Sequence, residues 1–310
     1  MVRKVGFIGL GAMGLPMTRM LAGQGLALTV YDADSAARAR AAAIEGVAAA
    51  ASATETAAAV EVLFTCLPND AILREVYLGT GGIAEGISEG GITVDCSTVS
   101  SRVTRAIHAA LMARGVQHLD ASMLGSIPQA KSGEIGFVVG GARTAFEAVA
   151  PLLDILGRFR VYAGGSGAAN RIKAIHQSLV AAQAVAVAEA VALCLATDTD
   201  LDCFYDVVCN GGGFAQSRYF EKRVPRMRQG DFSPLFMLQL MKKDSGLAQD
   251  LARDAGLDLP LLDQVVARFE EALAAGRGSE DFSAVARLYE LALGRSFAET
   301  VRKEDSQSGG

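Results

Sequence analysis

Short apolar runs alternate with longer helix-compatible stretches through the first half of the chain. The segments Val2–Ile8, Leu26–Tyr31, Val60–Thr65, Ile92–Cys96, Gln117–Ala121, Ile135–Val139 and Arg160–Ala163 are β-prone, and the stretches between them favour helix. Repeated strand and helix alternation to about residue 163 predicts an α/β domain with a doubly wound parallel sheet, with an irregular edge allowed. A glycine-rich break, Gly164-Gly165-Ser166-Gly167, then leads into a segment from Ala168 with no Gly or Pro for about thirty residues. This reads as one long helix, apolar nearly all round and mostly buried. Beyond it, Leu201–Val208, Leu235–Ala255, Leu261–Ala275 and Phe282–Ala292 suit helices, with Pro225, Pro234 and Pro260 punctuating the segments between them. The expected plan is a sheet domain over 1–163, an interdomain helix over 164–196, an all-α domain over 197–303 and a disordered tail over 304–310.

Composition narrows the class. The 310 residues are 51% hydrophobic with only 6% aromatic content and no Trp, which implies a core of alanine and aliphatic side chains in a chain long enough for two domains. A net charge of −5 gives no footprint for nucleic acid or an anionic membrane. Five cysteines without a C-x-x-C pair and three histidines signal neither a metal site nor a disulfide framework, so reduced thiols and a cytoplasmic location are expected. The stretch Ala174–Ala196 is long enough to cross a bilayer, but it carries His176, Gln177, Gln183 and Glu189, which favours a buried helix over a span.

The first strand ends in Gly9-Leu10-Gly11-Ala12-Met13-Gly14, a G-x-G-x-x-G turn between strand and helix. Gly9 allows the tight turn, Gly11 lets a pyrophosphate approach the backbone, and Gly14 lets helix and strand pack closely. The second strand ends in Tyr31-Asp32, where a carboxylate accepts from the adenosine ribose hydroxyls and repels a 2′-phosphate. NAD is therefore expected, with NADP kept possible by Arg38 and Arg40. On the long helix, Lys173, His176 and Gln177 stand at i, i+3 and i+4 and share one face. The helix start just upstream favours an anionic ligand and disfavours a second positive charge, so Lys173 is a candidate general base. His176, with its ordinary pKa near neutrality, is the rival for that role.

These motifs resemble the β-hydroxyacid (3-hydroxyisobutyrate) dehydrogenase family over nearly the whole chain. "GFIGLGAMGLPM" is similar to the family's first signature, "TCLPND" and "VDCSTVS" to its further cofactor loops, and "GEIGFVVGG" to the end of its substrate loop. "KKDSGLA" and "DFSAV" match signatures of its helical domain. Aligning the lysine motif from Gly167 places Lys173 at the lysine position, followed by His176 and Gln177, as in the K-x-x-H-Q branch that contains threonate dehydrogenases. Aligning it from Gly165 would place Arg171 there, and a guanidinium stays protonated.

The resemblance implies reversible hydride transfer between NAD(P) and a small hydroxy acid, with the nicotinamide in a cleft between the two domains and a homodimer or homotetramer as the working form. It implies cofactor contacts from Gly9 to Gly14, Tyr31, Asp32, Cys66, Leu67, Pro68, Thr98 and Lys243. It also implies substrate contacts from Ser122, Leu124, Gly125, Ser126, Lys173, Gln177 and Arg218. Two departures bear on substrate. Leu124 stands where relatives carry a serine, leaving backbone N–H groups of Leu124, Gly125 and Ser126 as the anion cradle. Arg218 stands where many relatives have tryptophan, and is either a second carboxylate clamp or a solvated surface charge. Two alternatives remain open: an imine reductase-like enzyme, and a non-catalytic dinucleotide-binding scaffold.

Overall fold

A computed structural model describes residues 4–298. The expected 304–310 tail lies outside the described residues. The chain divides into two compact units, Met1–Lys173 and Ala174–Gly310.

The first unit contains strands β1 (Lys4–Ile8), β2 (Ala27–Tyr31), β3 (Val47–Ala49), β4 (Val62–Thr65), β5 (Ile92–Asp95), β6 (Gln117–Leu124), β7 (Ile135–Gly140) and β8 (Gly157–Gly164). Between them run helices α1 (Gly14–Ala22), α2 (Ser35–Ala42), α3 (Ala53–Ala58), α4 (Asp70–Leu78), α5 (Ile83–Gly86), α6 (Ser101–Met112), α7 (Ile127–Ser132) and α8 (Arg143–Leu156). The sheet order is β3-β2-β1-β4-β5-β6-β7-β8. Successive side chains on a strand face opposite ways, so both faces need cover. Phe7 and Phe64 join one buried cluster with Met17 and Leu153, while Ile8 and Leu63 join another with Tyr77 and Ile107.

The sheet is parallel except that β7 runs antiparallel to β6, with Asp120 opposite Gly140 and Leu124 opposite Gly136. Only ten residues separate Leu124 from Ile135, and they hold the short helix α7. A parallel crossover needs a dozen or more, so the chain turns back on itself.

Helix α9 (Ala168–Ala196) starts where the glycine break ends and passes from the first unit into the second. By length and composition alone it would cross a membrane, with a hydropathy of 2.1 over its most apolar window. In the second unit its Ala181, Ala184, Ala188, Val191 and Leu195 are buried in one core with side chains from α10 (Leu201–Asn210), α11 (Arg218–Arg228), α12 (Leu238–Asp254) and α13 (Pro260–Ala274). A 3₁₀ turn, Phe282–Ala286, precedes α14 (Arg287–Leu293).

Helix α11 corrects the reading of Pro225 as punctuation, because the proline lies inside the helix. Proline removes the N–H that would reach the carbonyl four residues back and leaves that carbonyl without a helical partner. The Tyr205 hydroxyl donates to that Glu221 carbonyl at 3.3 Å instead. Val224 and Met227 on either side are buried, so tertiary packing holds the helix together.

Candidate active site

The glycine turn is shaped for a dinucleotide. Gly9 has φ +93°, and a Cβ there would stand 2.2 Å from the Cys66 carbonyl oxygen. At Gly14 a Cβ would stand 1.8 Å from the Gly9 carbonyl oxygen. Gly11 differs, since a Cβ added there meets nothing within 4 Å. Its missing side chain is therefore not required by packing, and it leaves an open approach to the backbone. Met13, the N-cap of α1, provides no side-chain cap, Leu15 N already donates to the Gly11 carbonyl at 3.1 Å and Pro16 has no N–H, so within the first turn the Gly14 N–H is the donor left to face an anion. These features fit a pyrophosphate, and the residues Gly9 to Gly14 would hold it.

Asp32, at the end of β2, accepts from Leu10 N at 2.6 Å and from Asp34 N at 2.8 Å. One carboxylate thus ties the loop after β2 to the glycine turn. Arg38 lies against the same loop, donating to the Asp32 carbonyl at 2.5 Å and stacking over the Tyr31 ring at 5.5 Å. Cys66, Leu67 and Pro68 follow β4, and Thr98 follows β5, so both loops lie at the same carboxyl-terminal end of the sheet.

The start of α9 differs from the expectation of an open anion site. The protein's own carboxylate fills it: Asp120 accepts from Gly167 N at 2.8 Å, Ala169 N at 2.9 Å and Asn170 N at 3.2 Å. Burial pushes the Asp120 carboxyl above its usual range, and the Gly167, Asn170 and Ala169 N–H groups oppose that rise. Asn170 fixes the helix further, accepting from Ser122 Oγ at 2.9 Å and donating to Thr104 Oγ1 at 2.6 Å. The next turn carries Lys173, which is 8% exposed.

In the second unit, the remainder of α9 makes a hydrogen-bonded chain with α12. Lys243 Nζ lies 3.2 Å from Asp244 Oδ1, and Gln177 Nε2 donates to Asp244 Oδ2 at 2.8 Å. Asp244 is 2% exposed and accepts only, so it fixes which way the Gln177 amide points. Gln177 Oε1 then faces His176 Nδ1 at 3.1 Å. An amide oxygen cannot donate, so Nδ1 carries the proton and Nε2 is the basic nitrogen of the neutral ring.

Ser122 and Ser126 of the expected substrate loop have hydrogen-bond partners within the first unit. Ser122 is fully buried and its hydroxyl donates to Asn170 Oδ1. The Ser126 hydroxyl and N–H both donate to Gln129 Oε1, at 3.0 and 2.9 Å. Leu124 ends β6, and Gly125 adopts φ +134°. Arg218 opens α11 after the N-cap Ser217 and is exposed.

Sequence reasoning missed Asp120 as a cap, Asn170 as a clamp and Asp244 as the hub of the Gln177 chain. Asp120 and Asn170 leave no local trace, because their partners lie 47 to 66 residues away along the chain. Asp244 had a signal, since it falls on the buried face of α12 with Met241 and Ala248.

Comparison with known proteins agrees with this geometry. The family model for the NAD binding domain of 6-phosphogluconate dehydrogenase matches residues 4–165, and that for the NAD-binding region of NADP-dependent 3-hydroxyisobutyrate dehydrogenase matches residues 167–289. The chain is 30% identical to 2-(hydroxymethyl)glutarate dehydrogenase of Eubacterium barkeri, covering 94% of this chain and 97% of the relative. It is 32% identical to L-threonate dehydrogenase of Escherichia coli, covering 92% and 94%. A crystal structure of 3-hydroxyisobutyrate dehydrogenase from Salmonella typhimurium superposes with a TM-score of 0.80 at 34% identity, covering 92% of this chain and 99% of that one. With these matches over both units, the chain belongs to the 3-hydroxyisobutyrate dehydrogenase family of NAD(P)-dependent oxidoreductases.

Proposed function

We propose that the protein interconverts a small hydroxy acid and the corresponding semialdehyde or keto acid, with Lys173 as the general acid and base. The observation that carries this reading is a buried lysine in the second turn of a helix whose start is pinned by Asp120 and Asn170. Such pinning holds an amine in one place, which proton transfer requires. Bound NAD(P) supplies the hydride acceptor. Lys173 Nζ takes the hydroxyl proton as the carbonyl forms, and the resulting ammonium returns a proton to the carbonyl oxygen in reduction. Gln177 orients the reacting oxygen, and Lys243, paired with Asp244, serves the cofactor and substrate side of the same group.

Substrate choice falls to Arg218. The relatives' serine hydroxyl is lost at Leu124, and the hydroxyls of Ser122 and Ser126 donate elsewhere. Arg218 pairs with no carboxylate among the described residues and offers a planar two-pronged donor. A hydroxy acid with a second acidic or strongly polar group suits it. The similarity to a relative named for a glutarate derivative supports this reading. Asp32 favours NAD, with Arg38 keeping NADP accessible.

The working form is a homodimer or homotetramer in the cytoplasm. Ile172, Ile175, Leu179 and Leu193 form an exposed apolar stripe on α9, at 44%, 54%, 63% and 65% exposure, which a second copy would cover. A spectrophotometric screen of hydroxy acids and their aldehydes or ketones, run with NAD(H) and NADP(H) side by side, tests the function. Turnover of a polar hydroxy acid is expected, with a KM at least tenfold higher in Arg218→Leu. No turnover of any pair would favour the scaffold alternative.

A further inference from the structure

Beneath the two loops that follow β4 and β5 lies a buried polar chain with a fixed direction. Leu67 N donates to Ser97 Oγ at 2.8 Å, and Ser97 Oγ donates onward to Asp95 Oδ1 at 2.6 Å. Thr65 Oγ1 donates to the same Oδ1 at 2.7 Å. A hydroxyl has one proton, so the 3.0 Å contact between Thr65 and Tyr77 must have the Tyr77 hydroxyl as donor. The Ser97 and Thr65 hydroxyls thus converge on one carboxylate oxygen. The other, Asp95 Oδ2, is buried without a hydrogen-bond partner. Asp95 and Ser97 are each 1% exposed.

Carrying a carboxylate there is costly, and burial pushes the Asp95 carboxyl up to about 6. A threonine–tyrosine pair would hold strands together without it. What the carboxylate adds is a strong acceptor that turns the Ser97 hydroxyl inward and leaves its lone pairs for Leu67 N. A second strut runs parallel to this one. Asp70, at the start of α4, accepts from Ser100 N at 2.9 Å and from the Ser100 hydroxyl. The loop after β4 is thus fixed to the loop after β5 at both of its ends.

We propose that Ser97, oriented by Asp95, is a positioning residue that sets the Cys66–Pro68 loop for the dinucleotide. It acts through the Leu67 backbone and does not itself touch the cofactor. The proposal rests on the reading that Cys66, Leu67, Pro68 and Thr98 face the dinucleotide.

Calorimetric titration of NADH into wild type, Ser97→Ala, Ser97→Thr, Tyr77→Phe and Gly11→Val tests it, with thermal melts recorded on each. Ser97→Ala is expected to weaken NADH about tenfold and to raise the KM for the dinucleotide more than it lowers kcat. Ser97→Thr, which keeps the hydroxyl, restores binding. Tyr77→Phe removes the far end of the same chain, so it lowers the melting temperature and leaves NADH affinity at the wild-type value. Wild-type affinity in Ser97→Ala alongside lost affinity in Gly11→Val would overturn the positioning role while the cofactor site stands. Affinity lost in step with stability in both Ser97→Ala and Tyr77→Phe would also overturn it. Wild-type affinity in both Ser97→Ala and Gly11→Val would overturn the underlying cofactor reading as well.

Discussion

The carboxylate of Asp120, midway along strand β6, accepts a 2.9 Å hydrogen bond from the backbone N–H of Ala169 in the first turn of α9. The same carboxylate accepts from Gly167 and Asn170, so one side chain satisfies three of the helix's otherwise orphaned donors. Neutralising it in Asp120→Asn weakens charge-assisted bonds and leaves a donor facing donors. A loss of about 1–3 kcal/mol is expected, measured by urea unfolding, together with a fall in kcat, because Lys173 rides on the next turn of the same helix.

The glycines of the dinucleotide turn separate packing from binding. Gly11→Val points a side chain into open space and is expected to change stability by no more than about 0.5 kcal/mol while weakening NAD at least tenfold. Gly14→Ala drives a Cβ into the Gly9 carbonyl and is expected to cost about 1–3 kcal/mol of stability. Thermal melts with and without NAD check both. Equal behaviour of the two variants would contradict the division of roles.

Much of the sheet was legible because its strands are apolar runs ending in glycine or polar breaks, as at Ile8-Gly9 and Tyr31-Asp32. Helix α9 was legible for the opposite reason, the absence of any breaker after Ala168. Strand β3, Val47–Ala49, was not, since three residues in an alanine-rich stretch carry no period. Helix α11 was hidden by Pro225, whose cost is offset by Tyr205, a residue from another helix. The site residues split in the same way. Lys173 is proposed from a local motif, whereas Asp120, Asn170 and the engagement of Ser122 depend on partners far along the chain.

Asp95 gives stability a specific pH dependence. Its carboxyl titrates near 6 in the folded chain against 3.8 ordinarily, with burial the leading cause. Well below pH 3.8 it is protonated in both states. As pH rises from 4 to 7 the unfolded chain releases its proton first, so the folded state loses about 2 kcal/mol relative to a neutral residue at this position. Urea unfolding of wild type and Asp95→Asn from pH 4 to 7 is expected to show the wild type losing ground by that amount as pH rises. A gap that does not change with pH would contradict it.

Asp244 sets the orientation of Gln177, and through it the tautomer of His176. In wild type, nitrogen-15 NMR is expected to find the neutral His176 ring protonated on Nδ1. Asp244→Asn supplies an amide that accepts or donates, which releases the constraint. A mixed tautomer and a roughly tenfold lower kcat are expected.

The measurement that bears most directly on the account is turnover and NADH binding in Lys173→Ala. Loss of about two to four orders of magnitude in kcat, with NADH affinity within twofold of wild type and no recovery in Lys173→Arg, is the expected result. Retention of most turnover in Lys173→Ala would contradict it and move the proton-transfer role to His176.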